Sequence, residues 1–167
     1  MMQLSLKDRL ILSNQFKILQ LLDPKNKQDY EESIAIVEKG FQQDYDRLVE
    51  WMYEELPEHI SKEVYSILEL YRTITFAYER LTSEEQARIP SDKLKFRGFD
   101  GNNEVQHRSY CLFLLKDRDL YKELHHNTDY NTHHPILGKY RMMLEQWNSI
   151  GEKRELNVQE IEQILTA

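Results

Sequence analysis

Ser61-Lys62-Glu63-Val64-Tyr65-Ser66-Ile67-Leu68-Glu69-Leu70-Tyr71-Arg72-Thr73-Ile74-Thr75-Phe76-Ala77-Tyr78-Glu79-Arg80-Leu81 is the stretch that decides the fold. Val64, Ile67, Leu68, Tyr71, Ile74, Thr75, Tyr78 and Leu81 recur at helical spacing and form one apolar face. Its twenty-one residues, rising 1.5 Å each, span roughly 32 Å, the width of a small domain. The stretch therefore predicts the central core helix of an all-α protein. Tyr65 and Phe76 fall off the stripe, on the polar face beside Glu69 and Arg72. Either another segment covers them or they mark a subunit contact, because aromatics are enriched where interfaces close.

The flanking sequence is also helical in pattern. Ser5 with Asp8 forms a capping box, followed by Leu6, Leu10, Ile11, Ile18, Leu19 and Leu22 at helical spacing. Asp23-Pro24 ends that helix and opens a second, carrying Tyr30, Ile34, Val37 and Phe41, with Gly40 placed as its C-terminal cap. A third segment with Tyr45, Leu48, Met52 and Leu56 on one face stops at Pro57. Beyond the central helix, Ser83 with Gln86 suggests a short capped helix that Pro90 ends. Asn102 or Asn103 caps a further helix with Val105, Leu112, Phe113 and Leu120 on its apolar side. Pro135 opens another, with Leu137, Tyr140, Leu144 and Trp147 facing inward. Asn157 and Glu160 cap the last, bearing Val158, Ile161, Ile164 and Leu165. The expectation is a single-domain multi-helix bundle over residues 1–167, with one long central helix.

Bulk properties narrow the class. The chain has 167 residues, enough for one domain with its own core. A single cysteine, Cys111, cannot form an internal disulfide and suits a reducing cytosol. There is no signal-peptide pattern at the start and no apolar run long enough to span a bilayer. The net charge of −7 opposes attraction to nucleic acid or anionic lipid. A local exception is Arg88, Lys93, Lys95 and Arg97, opposed only by Asp92; it reads as a solvated surface or, less simply, as a phosphate contact.

Helical periodicity stops at Phe96-Arg97-Gly98-Phe99-Asp100-Gly101-Asn102-Asn103-Glu104, where two helical layers are expected to meet. Asp100, Asn102 and Glu104 alternate as in a calcium loop, but such a loop needs glycine sixth and glutamate twelfth, where Val105 and Cys111 stand. Glycines for the turn and side-chain caps for the backbone explain the composition more simply. Gly98, Phe99, Asp100 and Asn102 are retained as ligand-site candidates.

Two other constellations bear on chemistry. His125, His126, His133 and His134, with Asp129, crowd one irregular stretch and could supply metal ligands. No His-x-x-x-His or Cys-x-x-Cys frame holds them, so a solvated loop and no metal is the expectation. Arg118 followed by His125 fits the Arg-x(4–6)-His signature of HEPN-type helical ribonucleases, in which the pair stabilises and protonates a scissile phosphate. No nucleotide-binding glycine loop or nucleophile elbow is present, and no cofactor is implied.

Three stretches together resemble the YfbU family of small bacterial proteins. They are Arg9-Leu10-Ile11-Leu12-Ser13-Asn14-Gln15, Gly98-Phe99-Asp100, and Lys139-Tyr140-Arg141-Met142-Met143-Leu144 with Trp147; the Leu22-Asp23-Pro24 junction also fits. The resemblance implies a cytosolic, mostly helical protein and brings no catalytic residues to map. The leading expectation is a non-enzymatic interaction module that forms a homodimer, with Tyr65 and Phe76 as interface candidates and no membrane partner. The alternatives are a helical ribonuclease using Arg118 and His125, and a nucleic-acid-binding regulator.

Overall fold

The computed structural model describes residues 2–126 and 129–167. All the secondary-structure elements there are helical, apart from an isolated parallel bridge between Phe99 and Asn131. The fold is all-α. Internal contacts group the chain into two compact units, Met1–Glu55 and Leu56–Ala167. No helix among the described residues is long and apolar enough to cross a membrane.

In the first unit, helix α1 spans Leu6–Leu22 and starts at the Ser5–Asp8 capping box. A 3₁₀ turn over Pro24–Asn26 leads into α2, Lys27–Lys39, which ends at Gly40 in the left-handed conformation (φ 72°). The two helices run antiparallel and are joined by several polar contacts. Arg9 donates from Nε to the Val37 carbonyl (2.6 Å) and from Nη2 to the Glu38 carbonyl (2.7 Å), placing a cation on the C-terminal end of α2. Buried Ser13 donates to Glu38 Oε1 at 2.8 Å, and Lys17 reaches the same oxygen at 2.7 Å. These partners, the Lys17 hydrogen bond foremost, hold the Glu38 carboxyl below its ordinary value.

This arrangement reverses the simple reading of α1. Its inward side carries Arg9, Leu12, Ser13 and Phe16, whereas Leu6, Leu10, Ile11, Ile18, Leu19, Leu21 and Leu22 are exposed. The third predicted segment also differs. Gln42–Val49 is a 3₁₀ helix and the chain is irregular from there to Pro57. Of its proposed stripe only Tyr45 is buried, and Met52 is exposed. A short helix draws most of its stability from burying an apolar face, and this one has little to bury against.

The second unit is organised around α3, Glu58–Glu79. It begins directly after Pro57, three residues before the expected start, and buries Val64, Ile67, Leu68, Tyr71 and Ile74 as the spacing requires. Next comes α4, Ser83–Gln86, whose capping box is Thr82 with Glu85, one residue upstream of the pair chosen by pattern. Helix α5 covers Val105–Leu112 and runs on through a π turn at Phe113–Asp117. Val105 and Phe113, expected inward, are exposed, while Cys111 is fully buried and burial pushes its thiol up to about 12. Helices α6, Leu137–Ser149, and α7, Val158–Thr166, complete the unit; α5, α6 and α7 all pack on α3. The Asn157–Glu160 box caps α7, which buries Val158, Ile161, Ile164 and Leu165.

Candidate functional site

The irregular loop at Phe96–Glu104 and the histidine-rich stretch form one junction. Phe96 and Phe99 are fully buried and pack edge-on to each other, with ring centroids 5.8 Å apart. Both rings also contact Tyr140 of α6, at 5.8 and 5.6 Å. The Phe99 N–H donates to the Tyr130 carbonyl (3.1 Å), and its own carbonyl accepts from the Thr132 N–H (3.2 Å). Gly98 sits at φ 91°, and a Cβ there would lie 2.0 Å from the Tyr130 carbonyl oxygen. Only glycine permits that approach. The Gly98 carbonyl in turn accepts from the Tyr140 hydroxyl at 3.0 Å.

Polar side chains close the junction. Neither Asn102 nor Asn103 caps α5; Glu104 occupies the capping position, and its buried carboxylate reaches outward. Glu104 Oε2 accepts from the Asp100 N–H (2.9 Å), while Oε1 accepts from the N–H groups of Ile136 (2.8 Å) and Leu137 (2.7 Å) at the start of α6. Asp100 is itself buried; its carboxylate accepts from the Asn103 amide and the Asn102 N–H. Those bonds, the Asn103 amide first, hold it below the ordinary aspartate value. Asn131 Oδ1 accepts from both Gly101 N–H and His133 N–H. Of the four ligand candidates, Gly98, Phe99 and Asp100 are thus engaged in the junction, and Asn102 is exposed.

The histidines are placed separately. His125 Nε2 lies 2.8 Å from the Leu120 carbonyl, with Nδ1 3.9 Å from Asp119. His126 Nε2 lies 3.1 Å from the Phe96 carbonyl. Asp129 accepts from the Asn131 N–H, His133 adopts φ 56°, and His134 is exposed. The intervening residues 127 and 128 lie outside those described. Among the described residues, no three His, Cys, Asp or Glu side chains are placed to share a metal ion. Arg118 is exposed just past the π turn, with its charge felt at Tyr110.

His134 does border a cleft, of about 530 Å³, lined also by Lys93, Lys95, Arg97, Lys139 and the single acid Asp92. Three members of the basic cluster seen in sequence, Lys93, Lys95 and Arg97, are joined there by Lys139 and His134 from about forty residues away, whereas Arg88 pairs with Glu162 of α7 at 2.6 Å. Nothing in local spacing could have added them, because tertiary folding brings them together. Such a concentration of cations attracts anionic groups despite the negative net charge.

A YfbU-domain family model matches residues 2–167. The chain belongs to the YfbU family. It is 36% identical over 169 residues to the UPF0304 protein MJECS11 of Methanocaldococcus jannaschii, covering 98% of this chain and 99% of that protein. It is 32% identical over 169 residues to a UPF0304 protein of Actinobacillus succinogenes, covering 99% and 100%.

The stretches that resemble the YfbU family have definite structural roles. Arg9 closes α2, Gly98 to Asp100 build the junction, and Tyr140 binds it from α6. Arg141 pairs in two bonds with Glu63 of α3 (2.7 and 3.0 Å), and Glu63 also meets buried His107 at 2.8 Å. The Arg141 bonds are the largest cause of the lowered Glu63 value. Of the interface candidates, Tyr65 is half-buried edge-on to Tyr110 (5.8 Å), whereas Phe76 remains exposed. Exposed apolar side chains also lie along α1, where Leu6 is 79% exposed, Leu10 63%, Leu21 81% and Leu22 74%.

Proposed function

We propose that this YfbU-family protein is a non-enzymatic helical interaction module that self-associates, and that the outer face of α1 is its contact surface. One observation carries this: α1 is apolar on the side turned away from its partner helix, where Leu6, Leu10, Ile11, Ile18, Leu21 and Leu22 are exposed. An apolar helix face is ordinarily turned toward a packing partner. Exposed patches of this size mark interaction sites on soluble proteins. Tyr65 is a weaker candidate than it looked, because it already packs on Tyr110. The buried Cys111 thiol is inert and suits a reducing cytosol. Light scattering over a hundredfold range of protein concentration tests the proposal, with a dimer expected. A monomer throughout rejects it.

A second reading, nucleic-acid binding, is favoured by the gathering of Lys93, Lys95, Arg97 and Lys139 around one cleft. Phosphate contacts are strongest at low salt. A mobility-shift assay there should show retardation that a Lys93→Glu/Lys95→Glu variant loses; no retardation removes this reading.

A further inference from the structure

We infer that the cleft between the Asp92–Arg97 loop and the start of α6 is a binding site for a phosphorylated small molecule. The inference is independent of self-association and gives the cleft a smaller occupant than a nucleic acid.

The charge of the cleft comes from two parts of the chain. Lys93, Lys95 and Arg97 lie on one stretch and Lys139 on another, with Asp92 the single acid in the lining. Lys93 and Lys139 are half-buried. Among the described residues, neither of them nor Lys95 has a carboxylate within ion-pair distance. The more exposed Lys17, Lys122 and Lys153 each hold one at 2.6–2.7 Å. Lys93 also borders a smaller cleft beside Glu162, but Arg88 already holds that carboxylate in two bonds of 2.6 and 3.1 Å. Taking an ammonium partly out of water without a partner costs free energy, which a bound anion would recover.

The kind of anion follows from the donors and the space. Lysines hold phosphate as point charges, whereas a lone carboxylate is better matched by the fork of an arginine. A phosphate monoester carries about −1.5 to −2 charges at neutral pH and three strong acceptor oxygens, so several ammonium groups can share it. The cleft volume of about 530 Å³ lies within the range of small-molecule pockets, roughly 300–1,000 Å³, and far exceeds a phosphate group alone. Tyr71, Pro135 and Ile136 supply apolar wall for the organic body. The cations surround a concavity, and the net charge of −7 opposes a long polyanion.

Gly138 points to a ligand separately. It occupies the second position of α6 and lines the cleft. Its φ lies outside the left-handed region, and an added Cβ would meet nothing within 4 Å. Neither the backbone nor packing therefore requires glycine, which is destabilising in a helix relative to alanine. A ligand lying close against the backbone accounts for it. The N-terminus of α6 is not the source of attraction, because Glu104 already accepts from the Ile136 and Leu137 N–H groups.

Isothermal titration calorimetry on the full chain at fixed ionic strength tests the site. The probes are phenyl phosphate, inorganic phosphate, benzoate and a single-stranded oligonucleotide. Phenyl phosphate should bind once per chain, about tenfold more tightly than benzoate. Lys93→Gln and Lys139→Gln should each weaken it about tenfold, and Lys62→Gln, on α3, should leave it unchanged. Gly138→Asp separates binding from folding. Its carboxylate has room and suits the first turn of a helix, so the variant should melt at or above the wild-type temperature yet lose phenyl phosphate. Unchanged binding by Gly138→Asp, or benzoate as tight as phenyl phosphate, would overturn the inference. Inorganic phosphate as tight as phenyl phosphate would overturn it too, since the apolar wall would then contribute nothing. Binding of the oligonucleotide alone would assign the cleft to nucleic acid instead.

Discussion

Replacing Glu104 with glutamine removes one oxygen from a buried group that accepts three backbone hydrogen bonds. Glutamine can keep its oxygen on the paired N–H groups of Ile136 and Leu137. Its amide nitrogen then points at the Asp100 N–H, so a donor meets a donor. Asp100 is fully buried, which leaves its N–H no water to turn to. A buried donor left unsatisfied costs about 1–3 kcal/mol, and changing the remaining two bonds from charged to neutral costs roughly another 1 kcal/mol. Glu104→Gln should therefore destabilise the second unit by about 3 kcal/mol, lowering its melting temperature by roughly 10 °C. Thermal and urea denaturation followed by circular dichroism measure this. Amide exchange should quicken first at residues 100, 136 and 137, whose bonds are lost or weakened. Asn102→Ala, at an exposed position of the same loop, should stay within about 0.5 kcal/mol of wild type. A Glu104→Gln variant as stable as that control would show that the carboxylate does not hold the junction together.

Three other substitutions test separate parts of the structure. Gly98→Ala should not yield a native fold, because the added Cβ meets a backbone oxygen at 2.0 Å and φ is 91°; soluble, cooperatively melting protein would contradict the geometry. Arg9→Ala should destabilise the α1–α2 hairpin by about 2 kcal/mol through two lost charge-assisted bonds, read as faster amide exchange at the end of α2. Glu63→Gln should flatten the acid limb of the stability curve. The folded Glu63 value is lowered, so its contribution is complete above the unfolded glutamate value near about 4.3 and disappears as pH falls through the lower folded value. Urea titrations from pH 7 downward, showing equal acid sensitivity in wild type and variant, would refute that assignment.

The parts of the fold legible in sequence are those set by local chemistry. The Ser5–Asp8 and Asn157–Glu160 boxes and the α3 stripe depend on residues one to four positions apart, and the structure contains them. The Thr82–Glu85 box was misplaced by one residue because Ser83 with Gln86 satisfies the same pattern; the carboxylate is the stronger acceptor. The junction was legible only in part. Its glycines and buried Phe99 signal a special turn, but the partners that define it, Tyr130, Asn131 and Ile136, lie about thirty residues along the chain. Glu104 looked like part of a failed calcium loop; its role depends on where α6 begins. The cleft was half visible for the same reason, since Lys139 and His134 join Lys93 and Lys95 only through folding.

Periodicity found the apolar stripe of α1 but could not say what covers it, and there the hairpin's own energetics lead to a further test. The inward side of α1 holds α2 through hydrogen bonds and an ion pair from Arg9, Ser13 and Lys17, and its apolar residues Leu12 and Phe16 are only partly buried. Each such bond contributes about 1 kcal/mol, which leaves the hairpin only modestly stable by itself. If the outer face is buried by association, much of the first unit's stability arises between chains and follows mass action. Each tenfold rise in concentration should then stabilise the dimer by about 1.4 kcal/mol. The two tryptophans separate the units, since Trp51 lies in the first and Trp147 in the second. In a Trp147→Phe variant, the Trp51 fluorescence transition should move up by several degrees across a hundredfold concentration range. In a Trp51→Phe variant, a transition reported by Trp147 should move less. Equal and concentration-independent transitions would mean that the apolar face of α1 contributes to stability without a second copy.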